Sequence, residues 1–349
     1  MESAFRADLL VLATTAMMTF VLAACDSTVE RRPAPKGGGT NTSDAGQGMS
    51  ETDAGGGSMG TPDAGQGMMP SGLAALAPKS DGECPSFGSS APVSFSSSGV
   101  TRRVAVIAPA ARPTNMPIVF LWHGLTTLDQ QPVESVISGF GLASLAEQKS
   151  MIFVVAEALE QDIPFVGKIA LWGILGEASQ DLTMFDDLRT CISEEYSADL
   201  SRVYSWGHSG GALWTSMLLL ERSDSLAAAV EFSGGSDFSI IGLGGPFITY
   251  QTPASKTPIL FSTGGMNDVW PEQFPLIRFE ETTDSLQTSL LQDGHTVVRC
   301  RHDLGHFQLP SESWSVSIDW FENHSFGVPS SFVADGRLAN YSSWCEVGQ

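Results

Sequence analysis

A serine framed by glycines, Gly207-His208-Ser209-Gly210-Gly211, follows the apolar run Val203-Tyr204-Ser205-Trp206 and precedes Ala212-Leu213-Trp214. Strand, sharp turn and helix in that order form the context in which a serine is lifted clear of the backbone as a nucleophile. The turn forces strained dihedrals on the serine, and a β-carbon two residues to either side would collide with the neighbouring strand or helix. In a glycine-rich chain the pentapeptide alone is a weak signal, and its flanks give it weight. A serine hydroxyl is a poor nucleophile near neutral pH unless a base removes its proton, and that base is normally an imidazole.

Six histidines are available. His306, in Leu304-Gly305-His306-Phe307, lies between an apolar run ending at Cys300 and a final helical stretch, which returns it to the edge of the fold where Ser209 sits. His302 is the nearest rival, but it reads as a loop or core-edge residue. His123 and His208 adjoin the serine region, His295 begins a strand and His324 ends a helix. The imidazole needs a carboxylate to fix its tautomer and stabilise the imidazolium. Asp268, in Gly264-Gly265-Met266-Asn267-Asp268, follows a strand and suits the role; Asp237, after the preceding strand, remains an alternative, and Asp303 is too near His306 along the chain. Negative charge developing on an attacked carbonyl oxygen needs backbone N–H donors. Gly210 supplies one, and the loop in Leu121-Trp122-His123-Gly124-Leu125 supplies the other, from Leu125 or else Thr126. The His123 ring is expected to organise that loop. Such chemistry calls for no cofactor and no metal ion.

Positioning these groups requires a sheet. Short runs rich in Val, Ile and Phe at 104–108, 118–122, 152–156, 203–206, 227–232, 259–262 and 296–300 read as strands. Helical stretches lie between or after them at 133–148, 182–196, 212–222, 277–292 and 311–323, with Leu182, Phe185, Leu188 and Ile192 on one stripe. The alternation predicts an α/β fold, a mostly parallel sheet covered by helices on both faces, with the runs near Val93 and Val104 as antiparallel edge strands.

The order Ser209, Asp268, His306, with His123-Gly124 upstream, resembles the α/β-hydrolase superfamily from Cys84 to the C-terminus. Within it the chain looks most like the exported group that includes feruloyl esterases and poly(3-hydroxybutyrate) depolymerases. The likeness rests on the His-Gly loop, the double glycine after Ser209, the Gly264-Gly265-x-x-Asp268 segment, and the Gly305-His306 loop followed by Pro310. Trp206-Gly207-His208-Ser209 departs from that group's commonest elbow. The resemblance implies a serine esterase without a large cap domain, since only 233–258 is available for one and it is rich in Gly and Pro. Aromatic rim residues are expected at Trp172, Phe247, Tyr250 and Trp270.

Ahead of this domain the chain changes character. Residues 9–24 form an almost uncharged apolar run, and Leu22-Ala23-Ala24-Cys25 resembles the bacterial lipobox, which implies a signal peptide over 1–24 and lipidation of Cys25. From 25 to 79 Gly, Ser, Thr, Asp, Pro and Met dominate, with near-copies of Asp-Ala-Gly at 44–46, 53–55 and 63–65, so this part reads as a tether. The catalytic domain is expected over 80–349. Cys84, Cys191, Cys300 and Cys345 are an even number in an exported chain; two disulfides are expected, in any of three pairings.

With 18 basic and 39 acidic residues the formal net charge is −21, which repels nucleic acid at long range and favours a neutral substrate. The expectation is an extracytoplasmic carboxylic-ester hydrolase, lipid-anchored in the bacterial cell envelope and acting through an acyl-enzyme on short-chain, aromatic or polymeric esters. The alternatives are a serine peptidase of the same fold, or a surface-binding module without catalysis.

Overall fold

A computed structural model of the chain describes residues 70–88, 90–163 and 167–348. The expected signal segment 1–24, Cys25 and most of the tether lie outside the described residues.

The chain opens with β1 (Val93–Ser97), β2 (Val100–Ile107) and β3 (Ile118–Trp122). Helices α1 (Pro132–Gly139) and α2 (Leu142–Lys149) lead to β4 (Ile152–Ala156). A hairpin of β5 (Glu160–Ile163) and β6 (Gly167–Ala170) precedes α3 (Ser179–Tyr196), β7 (Val203–His208), α4 (Gly210–Glu221) and β8 (Ala228–Phe232). A second hairpin, β9 (Phe238–Ile240) and β10 (Gly244–Phe247), is followed by β11 (Ile259–Thr263). A third, β12 (Val269–Trp270) and β13 (Ile277–Arg278), runs into α5 (Phe279–Gln292). The chain ends with β14 (Val297–Arg301), α6 (Ser313–Glu322), α7 (Ser331–Ala334) and β15 (Cys345–Val347).

Nine strands form one sheet in the order β1-β2-β4-β3-β7-β8-β11-β14-β15. The pairings from β4 to β14 are parallel, and the two early strands and β15 are antiparallel to their neighbours. All five residues of β3 are buried because both faces are covered, as its unbroken apolar run requires. Side chains alternate across it: Ile118, Phe120 and Trp122 join one core with α3, α4 and α5, whereas Val119 and Leu121 join the other with α1, α2, α6 and α7. The expected stripe Phe185, Leu188 and Ile192 is buried in the first core, with Leu182 at its margin.

Three expectations need adjusting. The helix expected over 133–148 is two helices, because Gly141 stands at φ 59° between them and ends the first. The last residues assigned to the tether lie on the domain. The Ala74 amide donates to Asp224 (2.8 Å), the Thr190 hydroxyl donates to the Ala77 carbonyl (2.7 Å), and Leu73 packs against the second core. Composition alone hides one leucine among small residues. Finally, 233–258 holds the hairpin β9–β10 rather than a bare loop. No helix occupies it.

Two disulfides form, Cys84–Cys191 and Cys300–Cys345. The first ties the segment before β1 to α3. The second joins directly paired residues of β14 and β15 and so fastens the last strand to the sheet.

Candidate active site

Strand β7 ends at His208, and helix α4 begins at Gly210. Ser209 between them has φ 56° and ψ −123°, a strained conformation for a residue with a β-carbon, of the kind that costs about 1–3 kcal/mol. Its flanks must be glycine. A β-carbon on Gly207 would lie 2.1 Å from the Gly211 carbonyl oxygen, and one on Gly211 would lie 2.0 Å from that of Trp122. The spacing read from the sequence is therefore a packing requirement on both sides of the turn.

Ser209 Oγ lies 2.9 Å from His306 Nε2, and His306 Nδ1 lies 2.8 Å from Asp268 Oδ1. Nδ1–H donates to the carboxylate, so Nε2 is the acceptor for the serine proton. The histidine and the aspartate are buried. The imidazole is held by stacking on Phe279 at 4.3 Å and by Phe307 edge-on at 5.0 Å. The other oxygen of Asp268 accepts from the Gly264 amide (2.8 Å) and the Ser233 hydroxyl (2.9 Å).

The alternatives weighed in the sequence are engaged elsewhere. Asp237 accepts from the Ser236 and Ser285 hydroxyls. His302 accepts from the Leu304 amide, and its ring lies edge-on to Trp344. His295 bonds the Thr257 carbonyl, and His324 bonds the Trp320 carbonyl with its ring tilted against that indole.

The backbone nitrogens of Gly210 and Leu125, expected as oxyanion donors, lie beside the serine. Gly210 is the first residue of α4, so its N–H has no acceptor within the helix. An ideal β-carbon on Gly210 would lie 3.1 Å from the Leu125 nitrogen, and one on Gly124 would lie 3.3 Å from the Ser209 β-carbon, so the His123–Leu125 loop packs closely on the serine turn. The His123 ring organises this loop. Its Nε2 accepts from the Ala158 amide (3.0 Å), which leaves Nδ1–H to donate to the Gly124 carbonyl (2.7 Å). Burial pushes the imidazole down to about 4, so it stays neutral. The bridge between Thr126 and Ala170 fastens the far end of the loop to the β5–β6 hairpin.

Trp172 departs from the rim position expected for it. It is fully buried, donates from its indole nitrogen to the His123 carbonyl (2.9 Å), and lies 5.0 Å from Trp122 and 6.1 Å from Trp214. An indole on the segment leading to α3 is drawn into the core because its N–H finds a backbone acceptor there. Phe247, Tyr250 and Trp270 are half-buried at the margin of the first core. Met266 and Leu304, two residues before Asp268 and His306 respectively, are exposed.

Two supporting groups escaped the sequence reading. His208 Nε2–H donates to the His306 carbonyl (2.9 Å), and burial, then the facing His306, push its imidazole down to about 4. Glu231, fully buried on β8, accepts from the Ser216 hydroxyl (2.9 Å) and the Gly235 amide (3.1 Å), and burial pushes its carboxyl up to about 8. The Gly234-Gly235 pair one residue beyond a strand was the available signal for the latter.

No family model matches the chain. Feruloyl esterase D of Neurospora crassa is 26% identical over 198 residues, a match covering 54% of this chain and 64% of the relative, just under two thirds of its length. Among solved structures, native pOPH is 16% identical with a TM-score of 0.56, covering 76% of this chain and 97% of that one. A putative dienelactone hydrolase from Klebsiella pneumoniae is 15% identical with a TM-score of 0.50, covering 66% and 97%. By sheet order, by the strained serine between strand and helix, and by its likeness to these solved structures, the chain has an α/β-hydrolase fold, and its sequence is similar to that of a feruloyl esterase.

Proposed function

We propose that this protein is a carboxylic-ester hydrolase working through an acyl-enzyme on Ser209. One observation carries the reading: the Ser209 hydroxyl is within hydrogen-bond reach of an imidazole whose other nitrogen is bonded to a buried carboxylate. Ser209 Oγ attacks the ester carbonyl carbon while its proton passes to His306 Nε2. The tetrahedral oxyanion is met by the N–H groups of Leu125 and Gly210. Collapse breaks the bond to the alcohol oxygen, which takes the proton from the imidazolium. Water then gives a proton to His306 and attacks the acyl carbon, and a second collapse releases the acid and restores Ser209. Asp268 keeps the imidazole in the required tautomer and balances its charge.

The substrate class follows from the surroundings. With a short hairpin where a cap would stand, the remainder of a large ester extends into solvent. The half-buried aromatic residues and the exposed Met266 and Leu304 favour short-chain, aromatic or polymeric esters of no net charge. The two disulfides fit an oxidising, extracytoplasmic compartment. Together with Leu22-Ala23-Ala24-Cys25 they support a lipid-anchored protein of the cell envelope, tethered through Cys25.

A fluorophosphonate probe should label Ser209, and Ser209→Ala should lose both labelling and hydrolysis of short-chain nitrophenyl and methyl cinnamate-type esters. Absence of labelling in folded protein overturns the enzymatic reading. Preference for peptide amides, or for long-chain triglyceride emulsions with interfacial activation, overturns the substrate class. A Cys25→Ser form that is exported and cut yet still held in the membrane after a salt wash overturns the anchor.

A further inference from the structure

The last residues of β8 lie between the nucleophile and its carboxylate. In the sheet β8 runs between β7, which ends at the elbow, and β11, which leads to Asp268. The Phe232 carbonyl accepts the amide of Ser209 (2.9 Å). The next residue, Ser233, donates its own amide to the Ser262 carbonyl on β11 (2.8 Å) and its hydroxyl to Asp268 Oδ2 (2.9 Å). Two consecutive residues thus hold both ends of the proton relay.

Ser233 is buried and has φ 60°, a left-handed backbone that a serine adopts only when its surroundings impose it. The neighbouring turn imposes it. The Gly235 amide is drawn down to Glu231 Oε2, and the Gly234 carbonyl accepts from the Thr282 (2.6 Å) and Thr283 (3.1 Å) hydroxyls of α5. A β-carbon on Gly234 would lie 2.2 Å from Glu231 Oε2. The turn is therefore folded back over a buried carboxyl, and Ser233 is the residue it turns toward Asp268.

We propose that Ser233 is a positioning residue of the hydrolytic site, aimed by the Glu231-anchored turn so that its hydroxyl fixes the Asp268 carboxylate and tempers its charge. The inference rests on the reading of Ser209, His306 and Asp268 given above. With Ser233 in place, Asp268 Oδ2 has two donors, and less of the carboxylate charge bears on the imidazolium. Removing the hydroxyl leaves Asp268 freer to rotate and more attractive to that cation. Two effects follow: slower acylation, and a higher pH for the acid limb of the rate profile. The other titratable groups facing the pair are His208, stacked on His306, and His302.

Ser233→Ala and Ser233→Gly separate hydroxyl from backbone, since glycine accepts φ 60° without strain. Both should lower kcat on a short-chain ester about tenfold or more, as expected for a lost hydrogen bond to a charged group. KM should change little, the acid limb should move upward in both, and fluorophosphonate labelling of Ser209 should slow in parallel. Circular dichroism and thermal melts of the full chain establish that each variant is folded. If folded Ser233→Gly has wild-type kcat, pH profile and labelling rate, the positioning role is wrong although the hydrolase reading stands. If kcat falls but the limb does not move, Ser233 is merely structural and the proposal is likewise overturned. If wild-type protein neither labels at Ser209 nor loses activity in Ser209→Ala, the underlying reading has failed instead.

Discussion

Gly264 lies so close to Gly305 that a β-carbon added to it would sit 2.1 Å from the Gly305 carbonyl oxygen. Gly264 also donates its amide to Asp268, and Gly305 immediately precedes His306, so this backbone contact sets the separation of carboxylate and imidazole. Gly264→Ala must push the two loops apart. Stability should fall by about 1–3 kcal/mol, the usual cost of overpacking. Ester hydrolysis should fall by more than the loss of folded protein accounts for, which active-site titration alongside a thermal melt would show.

Strain at Ser209 predicts an opposite pairing of stability and activity. Ser209→Ala and Ser209→Gly both remove the nucleophile, but only glycine accepts φ 56° freely. Ser209→Gly should be more stable than Ser209→Ala by about 1 kcal/mol, part of the strain relief being offset by glycine's larger unfolded-state entropy. Urea denaturation of the two inactive proteins measures the difference.

The carboxyl of Glu231 is pushed from 4.5 up to about 8 by burial. Between those values the folded protein holds a proton that the unfolded chain has released, so this group's contribution makes stability fall as pH rises through that window. Glu231→Gln, which keeps the shape of the neutral acid, should remove that decline. The check is the difference in urea midpoint between wild type and variant from pH 6.5 to 8.5, which should shift steadily in favour of the variant as pH rises.

Histidine burial acts in the other direction. His123, His208 and His324 are each lowered from 6.5 to about 4, chiefly by burial. Between those values the unfolded chain binds protons that the fold refuses, so stability is lost as pH falls from 6.5 toward 4. His324→Gln, remote from the site, should flatten the slope of unfolding free energy against pH by about one proton's worth, roughly 1.4 kcal/mol per pH unit at most. Equilibrium denaturation at pH 4.5, 5.5 and 6.5 reads it.

Reduction of the disulfides should be costly. Cys84–Cys191 spans 107 residues and Cys300–Cys345 spans 45. Chain-entropy arguments give each about 4 kcal/mol or slightly more, an upper range for native bridges. Cys300→Ser/Cys345→Ser should lower the thermal midpoint and expose the β14 edge to exchange with deuterium while the serine elbow stays protected.

The site was legible because each of its side chains stands at the carboxyl end of an apolar run, and parallel strands bring such ends together. Ser209 carried its own signature in the flanking glycines. The choice between Asp268 and Asp237 was not legible, since both follow strands; it is decided by which loop meets Gly305 in space. The hairpins β5–β6 and β9–β10 were hidden because their strands are short, polar or glycine-rich and are defined by pairing rather than by periodicity. Trp172 was misplaced because composition does not reveal whether an indole nitrogen will find a buried carbonyl. Ser233 went unnoticed for a related reason: its function depends on a left-handed turn imposed by Glu231 and by threonines some fifty residues away.

The cluster of Trp122, Trp172 and Trp214 beside the His123 loop has an optical consequence. Trp122 and Trp214 are 6.3 Å apart, and His123 lies 5.0 Å from Trp172, the indole bonded to its own carbonyl. Indoles at such separations couple electronically and give strong near-ultraviolet dichroism that depends on their mutual angles. Displacement of the loop carrying Leu125 tilts one member of the set, since Trp172 is bonded to that loop through the His123 carbonyl. The chain thus holds a native chromophore next to the loop that carries Leu125, and movement of that loop can be followed by light without attaching a probe.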